Sequence, residues 1–286
     1  MLANVHLGTS SFTAPGWEGS FYPRGLKPSD YLSFYSDHFD TVEVDSTFYA
    51  CPSPRTVGGW GAKTPPKFIF SAKVPQVITH EKVLASCDTE FSEFVNTMSI
   101  LEEKLGPMVF QFPHFGRSDF STQSDFLDRL IPFLKRLPKG HKFGVEIRNK
   151  EWLDSQFAGV LRDFRVALVL QDKSWMPDPR ELSQRFDPIT ADWTYIRWLG
   201  DRKEIENITK TWDRTVVDRT EQLGWWTDYC YKTMKRGVSV YGYANNHYAG
   251  HAPATIRQFR ELWSAKRFPS LEKAHREQRE ATLFDL

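Results

Sequence analysis

The chain has 286 residues, of which 40% are hydrophobic, 26% charged and 15% aromatic, and its net charge is +1. These are values of a folded globular protein and exclude a disordered or collagen-like one. The charge balance gives no bulk attraction to a polyanion, so nucleic acid would need a local patch, and no apolar run approaches the roughly 20 residues of a membrane span.

Eight strand-like runs follow one another, most of them separated by amphipathic segments. VHLGTSSF (5–12) opens into a loop rich in rings, Pro and Gly, TAPGWEGSFYP, and then SDYLSFYSDHF, where Ser29 and Asp30 are candidate helix caps. TVEVDSTFY (41–49) runs into a second rim-like loop, TFYACPSPRTVGGW. KFIFSAKVP (67–75) precedes QVITHEK, which carries His80. Next, DTEFSEFVNTMSILEEKLG places Phe91, Phe94, Met98 and Leu101 on one helical face, with a stop expected at Gly106. PMVFQFP (107–113) leads to SDFLDRLIPFLKRLP, in which Pro132 predicts a break or kink. KFGVEIRN (142–149) precedes DSQFAGVLRDF, and VALVLQDK (166–173) and WTYIRWLG (193–200) follow. RTEQLGWWTDYCYKTMKRG aligns Leu223, Trp226, Cys230 and Met234 and ends at Gly237. VSVYGYANN (238–246) passes through a loop holding His247 and His251 into PATIRQFRELW, which starts a helix at Pro253.

Alternation of strand and helix predicts a parallel sheet, and eight units predict its closure into a (β/α)8 TIM-type barrel. The competing open doubly wound sheet would need a GxGxxG turn after the first strand, which GTSSFTAPG lacks. The expected organisation is a single barrel domain over 1–265 with a charged tail over 266–286. Cys51, Cys87 and Cys230 are widely spaced and form no CxxC, which argues against a zinc site or disulfide framework. With no basic or apolar leader at the N-terminus, a cytoplasmic location is expected.

In a barrel, the strand face beneath the helices must be apolar, so the other face lines the interior. Val42 and Val44 then face outward, which turns Glu43, Asp45 and Thr47 inward. The same parity sends Lys73, Gln111, Glu146, Arg148, Tyr195, Arg197, Tyr241, Tyr243 and Asn245 inside. The sixth strand fits either parity, with Asp172 near its end. Buried charge is costly unless paired, and these carboxylates and cations nearly neutralise one another. Two readings stand: an interior network that plugs the barrel, or a polar pocket at the C-terminal mouth where barrel enzymes keep their sites. Glu43 and Glu146 fit either.

The motifs WEGSFYP (17–23), FDTVEVDSTFY (39–49), PPKFIFSAKVPQVITH (65–80), KLGPMVFQFP (104–113), VEIRNKEW (145–152) and VYGYANNHYAGHAP (240–253) resemble, as an ordered set, the YecE-like family, domain of unknown function seventy-two. The resemblance covers about residues 6–265 and implies a TIM-type barrel but no established reaction. TSSFTAPGW departs from the usual short glycine–tryptophan opening, and DST stands where NST is common, making Asp45 titratable where an amide is usual. By fold alone the family resembles endonuclease IV, a metal-cluster enzyme, and fold analogy is a weak warrant for function.

The leading expectation is a hydrolytic enzyme acting on a sugar-like or phosphorylated ligand at the mouth. Lys73, Arg148 and Arg197 would bind oxygen atoms, Asn149, Asn245 and Asn246 would orient the ligand, and Asp172, Asp45, His80 and Glu146 are the catalytic candidates. No cofactor is expected, although a metal stays open. The first alternative is a metal-dependent repair nuclease drawing on His80, His247, Glu146 and Asp172; the second is a non-catalytic binding barrel. The ending Leu283–Phe284 resembles a sliding-clamp peptide, but Glu280 and Ala281 replace the Gln and Leu such peptides carry, so a tail packed on the barrel is the stronger expectation.

Overall fold

The computed structural model describes residues 4–268. Strand β1 (Val5–Thr9) is followed by helix α1 (Tyr31–Ser36), β2 (Thr41–Val44), α2 (Pro54–Ala62) and β3 (Ile69–Lys73). Then come α3 (Asp88–Met98), β4 (Leu105–Gln111), α4 (Gln123–Leu134), β5 (Phe143–Glu146) and α5 (Ser155–Asp163). The second half continues with β6 (Ala167–Asp172), α6 (Pro179–Arg185), β7 (Trp193–Trp198), α7 (Arg202–Ile208) and α8 (Thr220–Lys235). It ends with β8 (Ser239–Ala244), the single-turn α9 (Asn246–Ala249) and α10 (Ala252–Ala265). The packed chain reaches at least Phe268, whose ring stacks on Tyr231 at 4.1 Å. The expected clamp-like ending at Leu283–Phe284 lies outside the described residues.

All strand pairs are parallel, in the order β1-β8-β7-β6-β5-β4-β3-β2. That is a (β/α)8 barrel, closed where β1 meets β2. The closure is made by side chains. The Tyr35 hydroxyl, from α1, lies 2.8 Å from the Thr9 amide it accepts from, and donates to the Thr41 carbonyl at 3.1 Å. Asp40 accepts the Leu7 amide at 3.1 Å. The strands approach so closely that a Cβ on Gly8 would sit 2.0 Å from the Thr41 carbonyl oxygen, so only glycine fits there.

Strand parity divides the apolar residues into two cores. Val42, Val44, Phe70, Phe110, Val145, Leu168, Leu170, Ile196 and Val240 pack outward beneath the helices. Val109, Ala167, Val169, Trp193, Tyr195, Tyr241 and Tyr243 fill the lower barrel interior. The layered filling matches what barrel geometry demands, and it stops short of the C-terminal end, where the lining turns polar.

Several local expectations need correction. Ser29 and Asp30 do not cap α1; they belong to a preceding 3-10 turn without a side-chain cap bond. The third helix ends at Met98 rather than Gly106, because the chain tightens into a 3-10 stretch in which Glu102 takes φ +52° and β4 starts at Leu105. Pro132 neither breaks nor ends α4, which continues to Leu134.

Candidate functional site

The interior above the tyrosine layer is built around one guanidinium. Arg197 on β7 is 2% exposed, and Glu43 and Glu146 are fully buried. Arg197 Nη2 donates to Glu43 Oε1 at 2.7 Å, and its Nη1 donates to Glu146 Oε2 at 2.7 Å and to Gln111 Oε1 at 2.9 Å. Tyr195 closes the set by donating to Glu43 Oε2 at 2.7 Å. Burial is the largest influence and opposes ionisation of both glutamates, but Arg197 and the nearby cations, with their hydrogen bonds, together outweigh it, so their carboxyls titrate below the usual range. Burial likewise works against the guanidinium, yet Glu43 and Glu146 push its pKa further up. All three are therefore charged at neutral pH, and charge-assisted bonds of this length are the strong kind.

Nearer the mouth, the ends of β2, β3 and β5 carry a looser group. Lys73 Nζ lies 3.1 Å from Asp45 Oδ1 and 5.3 Å from the Phe48 ring centre. Arg148 Nε reaches Glu146 Oε1 at 3.4 Å. The side chains of Asp45 and Arg148 keep 32% and 25% of their exposure. Desolvation, reinforced by Glu43 and opposed by Lys73, raises the Asp45 carboxyl above its ordinary value. Two buried acceptors, Asp45 Oδ1 and Gln171 Oε1, have no donor aligned for a hydrogen bond among the described residues, and such atoms call for an explanation.

His80 belongs to this rim. It sits in a wide π-helical turn, Val77–Glu81, with its ring 5.0 Å from Phe48 and Nδ1 2.9 Å from the Thr79 hydroxyl. Desolvation and the fields of Arg148 and Lys73 lower its pKa, so it is neutral at pH 7. Directly after it, Val83, Leu84 and Ser86 hold φ values of 43°, 64° and 48°. Left-handed backbone is costly for non-glycine residues, above all a β-branched one, and concentrates at functional loops.

The structure thus gathers Lys73, Asp45, Arg148, Arg197, Glu146 and His80, and directs the other expected residues elsewhere. Asp172 does not point inward. Strand β6 turns Ala167, Val169 and Gln171 to the interior, and Asp172 faces the helical layer, where Trp226 Nε1 donates to it at 2.7 Å and the Tyr248 hydroxyl at 2.9 Å. Asn149 is buried; its Oδ1 accepts from the Phe115 amide at 2.8 Å and its Nδ2 donates to the Phe115 carbonyl at 3.0 Å. Asn245 Oδ1 caps the short helix α9 at the His247 amide, 2.9 Å away, and Asn246 Oδ1 accepts from Trp17 Nε1 at 3.2 Å and the Ala252 amide at 2.9 Å. His80, His247, Glu146 and Asp172 do not converge: among the described residues no three His, Cys, Asp or Glu side chains are grouped as a metal would need.

Lys173 escaped the sequence reading. It follows Asp172 at the end of β6, is half-buried, and makes no ion pair among the described residues. Desolvation, aided by Arg148, lowers its pKa to about 8. The signal was present in QDK at a strand end, but an unresolved parity for β6 hid which of the three residues led where. A cavity of about 230 Å³ opens beside Lys173, outside the strand ring, lined among others by Asp172, Trp225 and Tyr248.

No helix among the described residues is long and apolar enough to cross a membrane. The family model described as "Protein of unknown function DUF72" matches residues 6–279. The UPF0759 protein YecE of Escherichia coli is 35% identical over 149 residues, covering 52% of this chain and 50% of that protein. The chain therefore spans about half the length of the curated relatives it matches. A DUF72 family crystal structure from Thermotoga maritima superposes with a TM-score of 0.70 at 26% identity, over 91% of this chain and 99% of that one. A second, from Enterococcus faecalis, gives 0.66 at 20% identity over 92% and 98%, a likeness of fold alone. With the motif set, the barrel and the match over residues 6–279 in agreement, this chain is a member of the DUF72 family.

Proposed function

We propose that the protein is a hydrolytic enzyme whose ligand is polar and oxygen-rich, sugar-like or phosphorylated, and binds at the C-terminal mouth of the barrel. The observation that carries this reading is the contrast in depth: Arg197 is saturated by Glu43, Glu146 and Gln111, whereas Lys73 and Arg148 each have, among the described residues, a single, longer ion pair at 3.1 and 3.4 Å. The inner knot fixes the frame, and the two outer cations are left to meet ligand oxygens.

His80, neutral and beside Phe48, is the base that takes a proton from the attacking water. Asp45, paired with Lys73 at 3.1 Å, is the second acid–base candidate, and the proton taken up from water returns to the departing oxygen. Lys73 and Arg148 neutralise charge as it develops on the ligand, a role suited to fixed cations in a partly desolvated site. The experiment is a turnover screen of phosphorylated sugars and glycosides with the wild type, Lys73→Ala and Arg148→Ala. Activity in the wild type that falls at least a hundredfold in either folded variant supports the reading. Turnover unchanged in both, or absent throughout, contradicts it.

A further inference from the structure

The cavity beside β6 is lined by none of Lys73, Asp45, Arg148 or His80, although Lys173 on its wall feels Arg148, Glu146 and Arg197. Its acceptor is Asp172, whose Oδ2 is held by the indole of Trp226 and the hydroxyl of Tyr248. Both donors are neutral, and no Lys or Arg pairs with this carboxylate among the described residues. A carboxylate so fixed keeps Oδ1 as a preoriented acceptor. The walls carry Trp225 and Trp226, broad apolar faces, together with Lys173, Arg180 and Arg219 on one side of the charge balance and Asp178, Asp201 and Glu204, besides Asp172, on the other.

That balance decides the chemistry. Arg180 is engaged by Asp178 at 2.7 Å and Arg219 by Glu204 at 2.9 Å, so their charges are locally met. A cationic ligand approaching Asp172 would meet Lys173; an anionic one approaching Lys173 would meet Asp172. A neutral ligand whose hydroxyls both donate and accept satisfies the two together, with its C–H face against indole. The volume, about 230 Å³, lies below the roughly 300–1,000 Å³ of drug-sized pockets and suits one ring. Lys173 Nζ stands 4.7 Å from the ring centre of Trp175, which is 43% exposed.

We propose that this cavity is a second ligand site that binds a single uncharged, hydroxyl-rich ring of the monosaccharide class through Asp172, Lys173 and the Trp225 face. The proposal stands whether or not the mouth is catalytic.

The Trp226 indole N–H, hydrogen-bonded to Asp172, is a built-in probe. Its ¹⁵N–¹H resonance, assigned with Trp226→Phe, is followed while glucose, galactose, ribose and fructose are each titrated into the full chain. At least one sugar is expected to shift it saturably. Asp172→Asn, which keeps an oxygen for Trp226 but replaces the free acceptor with an amide N–H₂, is expected to weaken that sugar at least tenfold. Trp225→Ala is expected to do the same, and Lys73→Ala to leave it unchanged. No saturable shift with any of the four, equal binding by both cavity variants, or a saturable response to ethanolamine or inorganic phosphate in place of the sugars overturns the proposal.

Discussion

Glu43 and Asp45 are two residues apart at the end of β2, and so are Glu146 and Arg148 at the end of β5, yet one step along the strand changes what the charge is for. The inner members are fully buried and held at 2.7 Å by Arg197; the outer ones keep a quarter to a third of their exposure and sit 3.1–3.4 Å from their nearest partner. Buried ions are tolerated only when every lone pair is met, and the inner knot meets that condition. The outer group need not, because water or a ligand can complete it. Depth, rather than residue type, separates scaffold from candidate chemistry.

Breaking the inner knot has the largest expected effect. Arg197→Met leaves buried Glu43 without its ion pair and Glu146 with only the longer Arg148 contact, and is expected to cost about 3–5 kcal/mol, read as a lowered urea midpoint with an unchanged slope. Removing the seam hydroxyl comes next. Tyr35→Phe strands the Thr9 amide and the Thr41 carbonyl between β1 and β2, an expected loss of about 1–3 kcal/mol.

The pH dependence of stability separates the two depths again. Glu43 and Glu146 titrate below their ordinary value of 4.5 in the folded protein. Their contribution is therefore complete above 4.5 and is lost as the pH falls through the folded values. Asp45 is raised above its ordinary 3.8 and acts in reverse, its contribution fading as the pH climbs from 3.8 through its folded value. Urea titrations from pH 6 down to pH 2 are expected to show a steep acid loss in the wild type and a shallower one in Glu146→Gln. An equally steep loss in that variant would remove Glu146 as its cause.

Smaller still is the expected cost of the outer cations. Lys73→Ala and Arg148→Ala should each change stability by about 0–1 kcal/mol, as partly exposed pairs do. Competitive amine labelling read by mass spectrometry should find Lys173 half-titrated near pH 8, unlike a lysine at its ordinary 10.5. Labelling that follows the ordinary value would mean that its amine is fully solvated.

The sequence made the barrel legible because outward positions such as Val42, Val44, Val145 and Ile147 are uniformly apolar, which fixes the inward parity of their neighbours. It failed at β6 for the same reason. Ala167 and Val169 are as apolar as Leu168 and Leu170, so nothing told which of Gln171 and Asp172 turns inward. Asn149 looked available at a strand end, but its partner, the Phe115 backbone, lies 34 positions away in a loop with no pattern to announce it. The Tyr35 closure and the Asp172–Trp226–Tyr248 group are likewise long-range pairings with no periodic signature. Parity is local information; partners for polar groups are not.

The most direct measurement is a thermal-shift comparison of the wild type and the Lys73→Ala, Arg148→Ala double variant against a panel of sugar phosphates. At least one compound is expected to raise the melting temperature of the wild type and to leave the folded double variant unmoved, as binding to the native state alone requires. An equal rise in both proteins, or no response from the wild type to any member, contradicts a ligand site built on these two cations.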